Sequence, residues 1–162
     1  MAIMLVPLRE VDVPQALSFI AEAAEWSPRS QATLPPEAIL GAPNSLWYSA
    51  LTSSVVTMDE HELVGIVGYS GISWPDGSAD VCLGVVPKWR TKGVAKELAK
   101  IQNAYAFREL GLRRLQMVAL TDSPSCKIAE AAGLTLEGTL KSCRLKAGSY
   151  RDANIYALVR EV

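Results

Sequence analysis

The sequence predicts a single mixed α/β domain, α+β-like, with about four helices flanking a mostly antiparallel, twisted sheet of about seven strands. Three observations predict it. Turn signals separate strand-like runs between Leu46 and Val86; helical periodicities alternate with a β run from Val94 to Gly133; a final hairpin closes the chain. A length of 162 residues with 49% hydrophobic content suits one domain, 1–162, that buries its core without disulfides or metals.

Each element has a local reason. Ile3 to Leu8 is a short apolar run that reads as a first strand. Asp12 is placed to N-cap a first helix, with Pro14 in its first turn and Gln15 at the capping-box position. Leu17, Ile20, Ala21 and Ala24 follow at helical spacing. From Glu25 to Ser45 the chain is rich in Pro, Ser and Ala, and Pro35-Pro36-Glu37 opens one short helix. That stretch reads either as a surface holding a ligand or partner or as an ordinary helix-loop-helix excursion. Leu46–Met58, Leu63–Ile72 and Ala79–Val86 are strands joined by turns at 59–62 and 74–77. A long helix then carries Val94, Leu98, Ile101 and Tyr105 on one face and ends before Gly111. Arg114–Leu120 is a β run; Ser123 and Pro124 are the N-cap and first residue of a helix that stops at Gly133. Thr135–Leu145 and Tyr150–Val159 form the closing hairpin around Ala147-Gly148-Ser149.

Composition excludes several classes. High apolar content with a net charge of −1 excludes intrinsic disorder. No apolar run approaches the ~20 residues of a membrane span, so no membrane partner is expected. Lys+Arg at 16 against Asp+Glu at 17 disfavours a nucleic-acid partner. Cys82, Cys126 and Cys143 are scattered, odd in number and not at metal-ligand spacing, so they read as reduced thiols of a cytoplasmic protein without a metal. The apolar N-terminus lacks the basic start and length of a signal peptide.

The chemistry-bearing segment is Val85 to Ala95. A strand ends at Pro87, and Arg90-x-x-Gly93-x-Ala95 then enters the long helix. Gly93 removes a side chain where a ligand must approach the backbone, and a helix N-terminus offers unpaired N–H groups to an anion. Lys88, Arg90, Lys92 and Lys96 add positive charge suited to a pyrophosphate. A basic helix start containing a glycine is the bland alternative, and neither a nucleotide P-loop nor a dinucleotide fingerprint is present.

Following an antiparallel strand, Arg90-x-x-Gly93-x-Ala95 resembles the acyl-CoA-binding motif of the GNAT superfamily of N-acetyltransferases. The stretches Tyr105–Arg114, Asp122–Ser125, Ala129–Gly133, Glu137–Leu140, and Tyr150-Arg151-Asp152 with Tyr156 extend the likeness. Together they are similar to the ribosomal-protein alanine N-acetyltransferase branch. The resemblance covers the chain from about Ala79 onward and is only architectural before that.

It implies a single-domain GNAT fold, acetyl-CoA as co-substrate and an amine-bearing acceptor. The strand Cys82–Val86 would splay from its neighbour, leaving the backbone of Leu83, Val85 and Val86 to pair with the pantetheine arm. Backbone amides of Arg90, Thr91, Lys92, Gly93, Val94 and Ala95 would hold the pyrophosphate. Asp122 stands where the family has an Asn that contacts pantetheine, and an ionised carboxylate cannot donate the hydrogen bond an amide donates. Ser125, in the first turn of a helix, would stabilise or protonate the departing thiolate. Leu134 replaces the usual Phe after Gly133. Asp80 occupies the position of an acidic residue common on this strand in the family and is the candidate base, with a solvated strand-end carboxylate as the alternative. Glu137 is a second candidate, or the Glu-Gly pair simply fixes a bend.

The attacking amine must be neutral, and no acyl-enzyme is needed if both substrates bind together. An α-amine titrates about 2.5 units below lysine, roughly 3.4 kcal/mol less deprotonation cost at neutral pH, so a weak base or a water relay suffices for it. The acceptor is a protein or peptide N-terminus or a small-molecule amine; the lack of an acidic run in the N-terminal segment argues against a polyamine. The rival reading, favoured by Asp122, is a non-catalytic acyl-CoA-binding or regulatory module. A second rival shares the fold without binding CoA. The oligomeric state stays open, a homodimer included.

Other residues carry structural readings. His61 sits in the polar turn 59–62, where neighbouring side chains diverge too far to build a metal cluster. Cys126 has no histidine beside it to make a thiolate and reads as a buried thiol. Trp26, Trp47 and Trp74 read as packing anchors ahead of acceptor-pocket walls. Arg113 and Arg114 read as caps of a helix end, with a contact to the CoA 3′-phosphate as the alternative.

Overall fold

Apolar side chains recurring at every second residue, broken by Pro and Gly, set the strands of this chain, and i, i+4 rows set its helices. The computed structural model describes residues 3–7, 53–57 and 63–161. The strands are β1 (Ile3–Pro7), β2 (Ser53–Thr57), β3 (Leu63–Ser73), β4 (Ser78–Val85), β5 (Arg114–Leu120), β6 (Thr135–Lys146) and β7 (Ser149–Val159). A 3₁₀ turn at Pro87–Trp89 precedes helix α1 (Val94–Arg108), and α2 spans Ser125–Ala131. The expected helix from Asp12 to Ala24, the segment Glu25–Ser45, Trp26, Trp47, and the turn holding His61 lie outside the described residues.

The described residues fall into two compact units. The first comprises those up to Ser70 together with Cys82–Gln102. In it β1 runs antiparallel to β2, from Ile3↔Thr57 to Pro7↔Ser53, and β2 runs antiparallel to β3. Val64, Val67, Val85, Val94 and Leu98 form its core, with Leu83, Trp89 and Ala95 packed against them. Gly65 permits this closeness. A Cβ there would stand 2.5 Å from the Gly84 carbonyl oxygen and 2.6 Å from Leu98 Cδ1.

The buried row of α1 differs from the expected one. It is Val94, Leu98, Gln102 and Ala106, exposed by 2%, 0%, 2% and 0%, whereas Ile101 and Tyr105 are only half-buried. Gln102 tolerates burial because its amide is satisfied. Nε2 donates to the carbonyls of Gly68 (2.8 Å) and Cys82 (3.0 Å), tying the helix to β3 and β4. The Tyr69 hydroxyl donates to the Gln102 carbonyl at 2.6 Å. The helix ends at a left-handed glycine: Gly111 takes φ +65° and Leu112 N–H donates to Ala106 O.

The second unit comprises Gly71–Val81 and the residues from Asn103 onward. Here β4 pairs parallel with β5 over three residue pairs, Ser78↔Arg114 to Asp80↔Gln116. β5 pairs antiparallel with β7 along its length, and β7 pairs antiparallel with β6. β6 shifts register at Leu136/Gly138 and again at Leu140/Arg144. Trp74, at the tip of the β3–β4 turn, is 59% exposed and anchors no core. Arg113 and Arg114 both donate their backbone N–H to the Gly77 carbonyl, at 2.6 and 3.0 Å.

Helix α2 begins one residue later than Pro124, but Ser123 still does the capping. Its Oγ accepts the Ser125 N–H at 3.2 Å. Gly133, at φ +87°, ends α2 with Leu134 N–H donating to Ala129 O. Leu134, in place of the family's Phe, is buried. The closing hairpin turns through Ala147 and Gly148, both left-handed.

Candidate active site

The segment between β4 and α1 is built to turn main-chain N–H groups outward. Pro87 stops the strand and starts the 3₁₀ turn, which Arg90 N–H closes on Pro87 O at 3.1 Å. Thr91 and Gly93 then adopt φ of +64° and +75°. Arg90 before them is extended (φ −65°, ψ 158°), and the α1 N-terminus that follows offers the free N–H groups that receive anions. Gly93 has nothing within 4 Å of a would-be Cβ, so its conformation, and not crowding, requires the glycine. Thr91 is the costly member, because a β-branched residue rarely adopts positive φ. Its Oγ1 donates to Arg90 O at 2.6 Å. Arg90, Thr91, Lys92 and Gly93 are exposed, while Val94 and Ala95 root the helix start in the core. The ammonium groups of Lys88 and Lys92 lie over the Trp89 ring, 5.6 and 4.8 Å from its centroid.

The strand end separates the three residues expected to meet a pantetheine arm. Val86 departs from the expectation: its N–H donates to Val64 O at 3.0 Å and its carbonyl accepts Trp89 N–H at 2.9 Å. Successive peptide groups of a strand face opposite edges, so Leu83 and Val85 present theirs to the edge away from β3. There the Val85 carbonyl accepts Arg90 Nε at 3.0 Å.

In the second unit Asp80 and Gln116 are register partners, and Gln116 Nε2 donates to Asp80 Oδ1 at 2.8 Å. Arg114, two residues before Gln116 on the same face, donates Nε to Gln116 Oε1 at 3.4 Å. Its guanidinium also forms a two-pronged ion pair with Glu137, Nη1 to Oε1 at 2.9 Å and Nη2 to Oε2. Hydrogen bonding from Arg114 holds the Glu137 carboxyl below the usual carboxylate range, which suits an anchor and not a base. Glu137 sits in the first β6 irregularity, so the bend reading and the ion pair describe one feature.

Asp122 lies in the turn after β5, and its Oδ2 accepts Arg151 Nη2 at 2.6 Å. Next to Arg151, Asp152 accepts Lys141 Nζ at 2.8 Å and Ser142 N–H at 2.9 Å. Those bonds, Lys141 first, lower its titration. Ser125, half-buried, heads α2. Cys126 is half-buried, with Sγ donating to Leu120 O at 3.2 Å. Tyr156 is buried, which pushes its hydroxyl titration up, and the hydroxyl donates to Glu130 Oε1 at 3.3 Å. Three partners escaped sequence reasoning: Gln116, Arg151 in its pairing with Asp122, and Gln102. Only Gln102 had a signal, the i+4 continuation of Val94 and Leu98.

The acetyltransferase (GNAT) domain family profile matches residues 2–135. The chain is similar to the uncharacterized N-acetyltransferase YoaA of Bacillus subtilis, 28% identical over 103 residues, covering 63% of this chain and 58% of that protein. It is 30% identical over 76 residues to YnaD of the same organism, covering 46% and 45%. It therefore spans less than two thirds of the length of these relatives. Among solved structures it is similar in fold to spermidine N-acetyltransferase from Vibrio cholerae in complex with CoA and spermine, TM-score 0.83, 18% identity, covering 97% and 95%. It is also similar to a GNAT-family acetyltransferase from Bacillus anthracis, TM-score 0.79, 20% identity, covering 98% and 95%. Among the described residues no helix is long and apolar enough to cross a membrane.

Proposed function

Because the chain belongs to the GNAT acetyltransferase domain family, we propose that it moves the acetyl group of acetyl-CoA to a primary amine by direct attack in a ternary complex. The observation that carries this reading is the loop from Arg90 to Gly93, where Thr91 and Gly93 turn left-handed immediately before α1. The α1 N-terminus adds the positive end of its dipole and its unpaired amides. Amides of Thr91, Lys92, Gly93, Val94 and Ala95 hold the pyrophosphate, while the Arg90 amide, expected among them, donates to Pro87 O instead. Leu83 and Val85 pair with the pantetheine arm, and Arg90 releases the Val85 carbonyl when the arm arrives. Asp122 contacts the arm as an acceptor only.

Asp80 takes the proton of the attacking amine as the C–N bond forms. The tetrahedral centre collapses, the C–S bond breaks, and the Ser125 hydroxyl gives its proton to the thiolate and regains one from solvent as Asp80 releases the amine proton to solvent. Net, the amine loses one proton and sulfur gains one. An α-amine costs less to deprotonate than a lysine and so asks less of the base. That favours a peptide or protein N-terminus, in line with the resemblance to the ribosomal-protein alanine branch. Small-molecule amines follow, and the spermine held by the Vibrio cholerae enzyme supports an amine acceptor in this fold. We place the protein in the cytoplasm, acting as one domain.

Calorimetry with CoA on the wild type and on Gly93→Arg tests the cofactor site, and CoA release with alanyl peptides, lysyl peptides and spermidine tests the reaction. Wild-type binding that Gly93→Arg abolishes, with turnover of at least one amine, supports the reading. Tight CoA binding without turnover of any acceptor selects the non-catalytic module. Binding unaffected by Gly93→Arg removes the proposed site.

A further inference from the structure

We infer that Tyr156 is the positioning residue for Ser125, fixing the rotation of α2 about its own axis through Glu130; this rests on the reading of Ser125 as the proton donor to sulfur. α2 has seven residues, too short a helix to hold its shape without its surroundings. Burial of Ala129 seats it, and polar contacts complete the attachment. At its start Ser123 Oγ accepts the Ser125 N–H, and Cys126 Sγ donates to Leu120 O at the end of β5. Just past its end the Ala132 carbonyl accepts Asn103 Nδ2 of α1 at 3.1 Å. Between these, the Tyr156 hydroxyl of β7 meets Glu130 Oε1 at 3.3 Å.

That hydroxyl is the last link of a chain whose direction is forced. A carboxylate only accepts, so the single Tyr156 hydroxyl proton goes to Glu130. The phenol oxygen is left as an acceptor, and Asn154 turns its NH₂ end to it, with Nδ2 at 3.4 Å. Oδ1 then faces β6, where it accepts Thr139 Oγ1 at 2.8 Å. Thr139 and Asn154 are register partners, and Tyr156, two residues on, shares their face of the sheet. The chain therefore runs from β6 through β7 to α2. Tyr156 is buried, so its ring is clamped by packing and its hydroxyl is a fixed point.

The face of α2 that is gripped decides what the grip does. Cys126 and Glu130 are four residues apart on one face of the helix, and the Tyr156 hydroxyl neighbours both. Ser125 precedes Cys126 and lies about 100° round the helix from it. A slip of about 15° in the rotation of α2 carries a hydroxyl about 4 Å from the axis through about 1 Å. A misplacement of about 1 Å costs up to about 100-fold in rate. The end contacts resist that slip poorly: a thiol is a weak donor, and a helix carbonyl points along the axis. The Glu130 contact stands off the axis and resists it.

The test compares Ser125→Ala, Tyr156→Phe and the double variant of the full chain. CoA release is followed with acetyl-CoA and whichever of an alanyl peptide, a lysyl peptide or spermidine turns over fastest, and CoA affinity is measured by calorimetry. Ser125→Ala is expected to lower kcat about 100-fold. Tyr156→Phe, which removes only the hydroxyl, is expected to lower it about tenfold, with CoA affinity and KM for acetyl-CoA unchanged. In the Ser125→Ala background the same change has no further effect. Should Tyr156→Phe fail to fold, Glu130→Ala, at an exposed position, releases the same contact from its other end and is expected to show the same loss. Glu130→Gln, which still accepts the hydroxyl, is expected to recover most of the kcat that Glu130→Ala loses. A large loss for Ser125→Ala, with Tyr156→Phe and Glu130→Ala within twofold of wild type, overturns the inference and leaves the donor assignment standing. Additive losses, a loss of CoA affinity, or no recovery in Glu130→Gln reduce Tyr156 to a structural role and overturn it too. Full activity in Ser125→Ala removes the donor assignment itself, and the inference with it.

Discussion

Asp122 Oδ2 and Arg151 Nη2 are 2.6 Å apart, joining the turn after β5 to β7. Where the family has a neutral amide, this chain has an acid together with a base that balances it. Both side chains are about half exposed, so the pair is screened by solvent and contributes under about 1 kcal/mol. Asp122→Asn is expected to leave the urea midpoint almost unmoved and, by restoring a donor toward the pantetheine arm, to tighten CoA several-fold. Unchanged CoA affinity by calorimetry would remove Asp122 from the cofactor site.

Thr91 holds a left-handed backbone that asparagine adopts at lower cost. Thr91→Asn is expected to raise the unfolding free energy by about 0.5–1 kcal/mol, read from the urea midpoint. A fall instead would mean that the Thr91 hydroxyl bond to Arg90 O outweighs the strain it accompanies.

Gln102→Leu keeps the volume of the side chain and removes both of its amide bonds, to the carbonyls of Gly68 and Cys82. The expected loss is about 2–4 kcal/mol, measured by denaturant unfolding. A loss below about 1 kcal/mol would show that those carbonyls find other partners.

Two carboxyls couple stability to acid. Glu137 is lowered by Arg114, and Asp152 by Lys141 and the Ser142 N–H. Each binds its proton more weakly in the folded chain than in the unfolded one, so stability rises with pH through their titration. Their contribution is whole above the ordinary carboxylate range of about 3.9–4.3 and is lost as pH falls through it to the lower folded values. Unfolding midpoints are expected to drop below about pH 4.5, and Asp152→Asn to flatten that drop. An identical acid limb in Asp152→Asn would exclude Asp152 as a contributor.

The parts legible beforehand are those whose cause is local. Pro87, Gly93 and the spacing of Val94 and Leu98 announce a strand, a turn and a helix from neighbouring residues alone, as Gly133 and Ser123 do for α2. What was illegible depends on register. Asp122 and Arg151 meet because Leu120 pairs with Ala153, 33 positions on in the chain. Glu137 reaches Arg114 only because β6 slips at Leu136. Neither fact is written in periodicity. Gln102 failed for another reason: a polar residue in an apolar row reads as the edge of the buried face, unless its amide has two carbonyls waiting. Val86 failed because a strand's edges, unlike its faces, leave no mark in side-chain type.

The lysines stacked on Trp89 turn the loop into an optical reporter. An ammonium over an indole face perturbs its emission, and Lys92 and Lys88 approach that ring from the two sides of Trp89 in the chain. A bound polyphosphate would compete for those charges within a few residues of the fluorophore. Trp74, 59% exposed, answers to aqueous quenchers instead. With Trp26, Trp47 and Trp74 replaced by Phe, Trp89 alone would register an arriving anion, and occupancy could be followed without attaching any label.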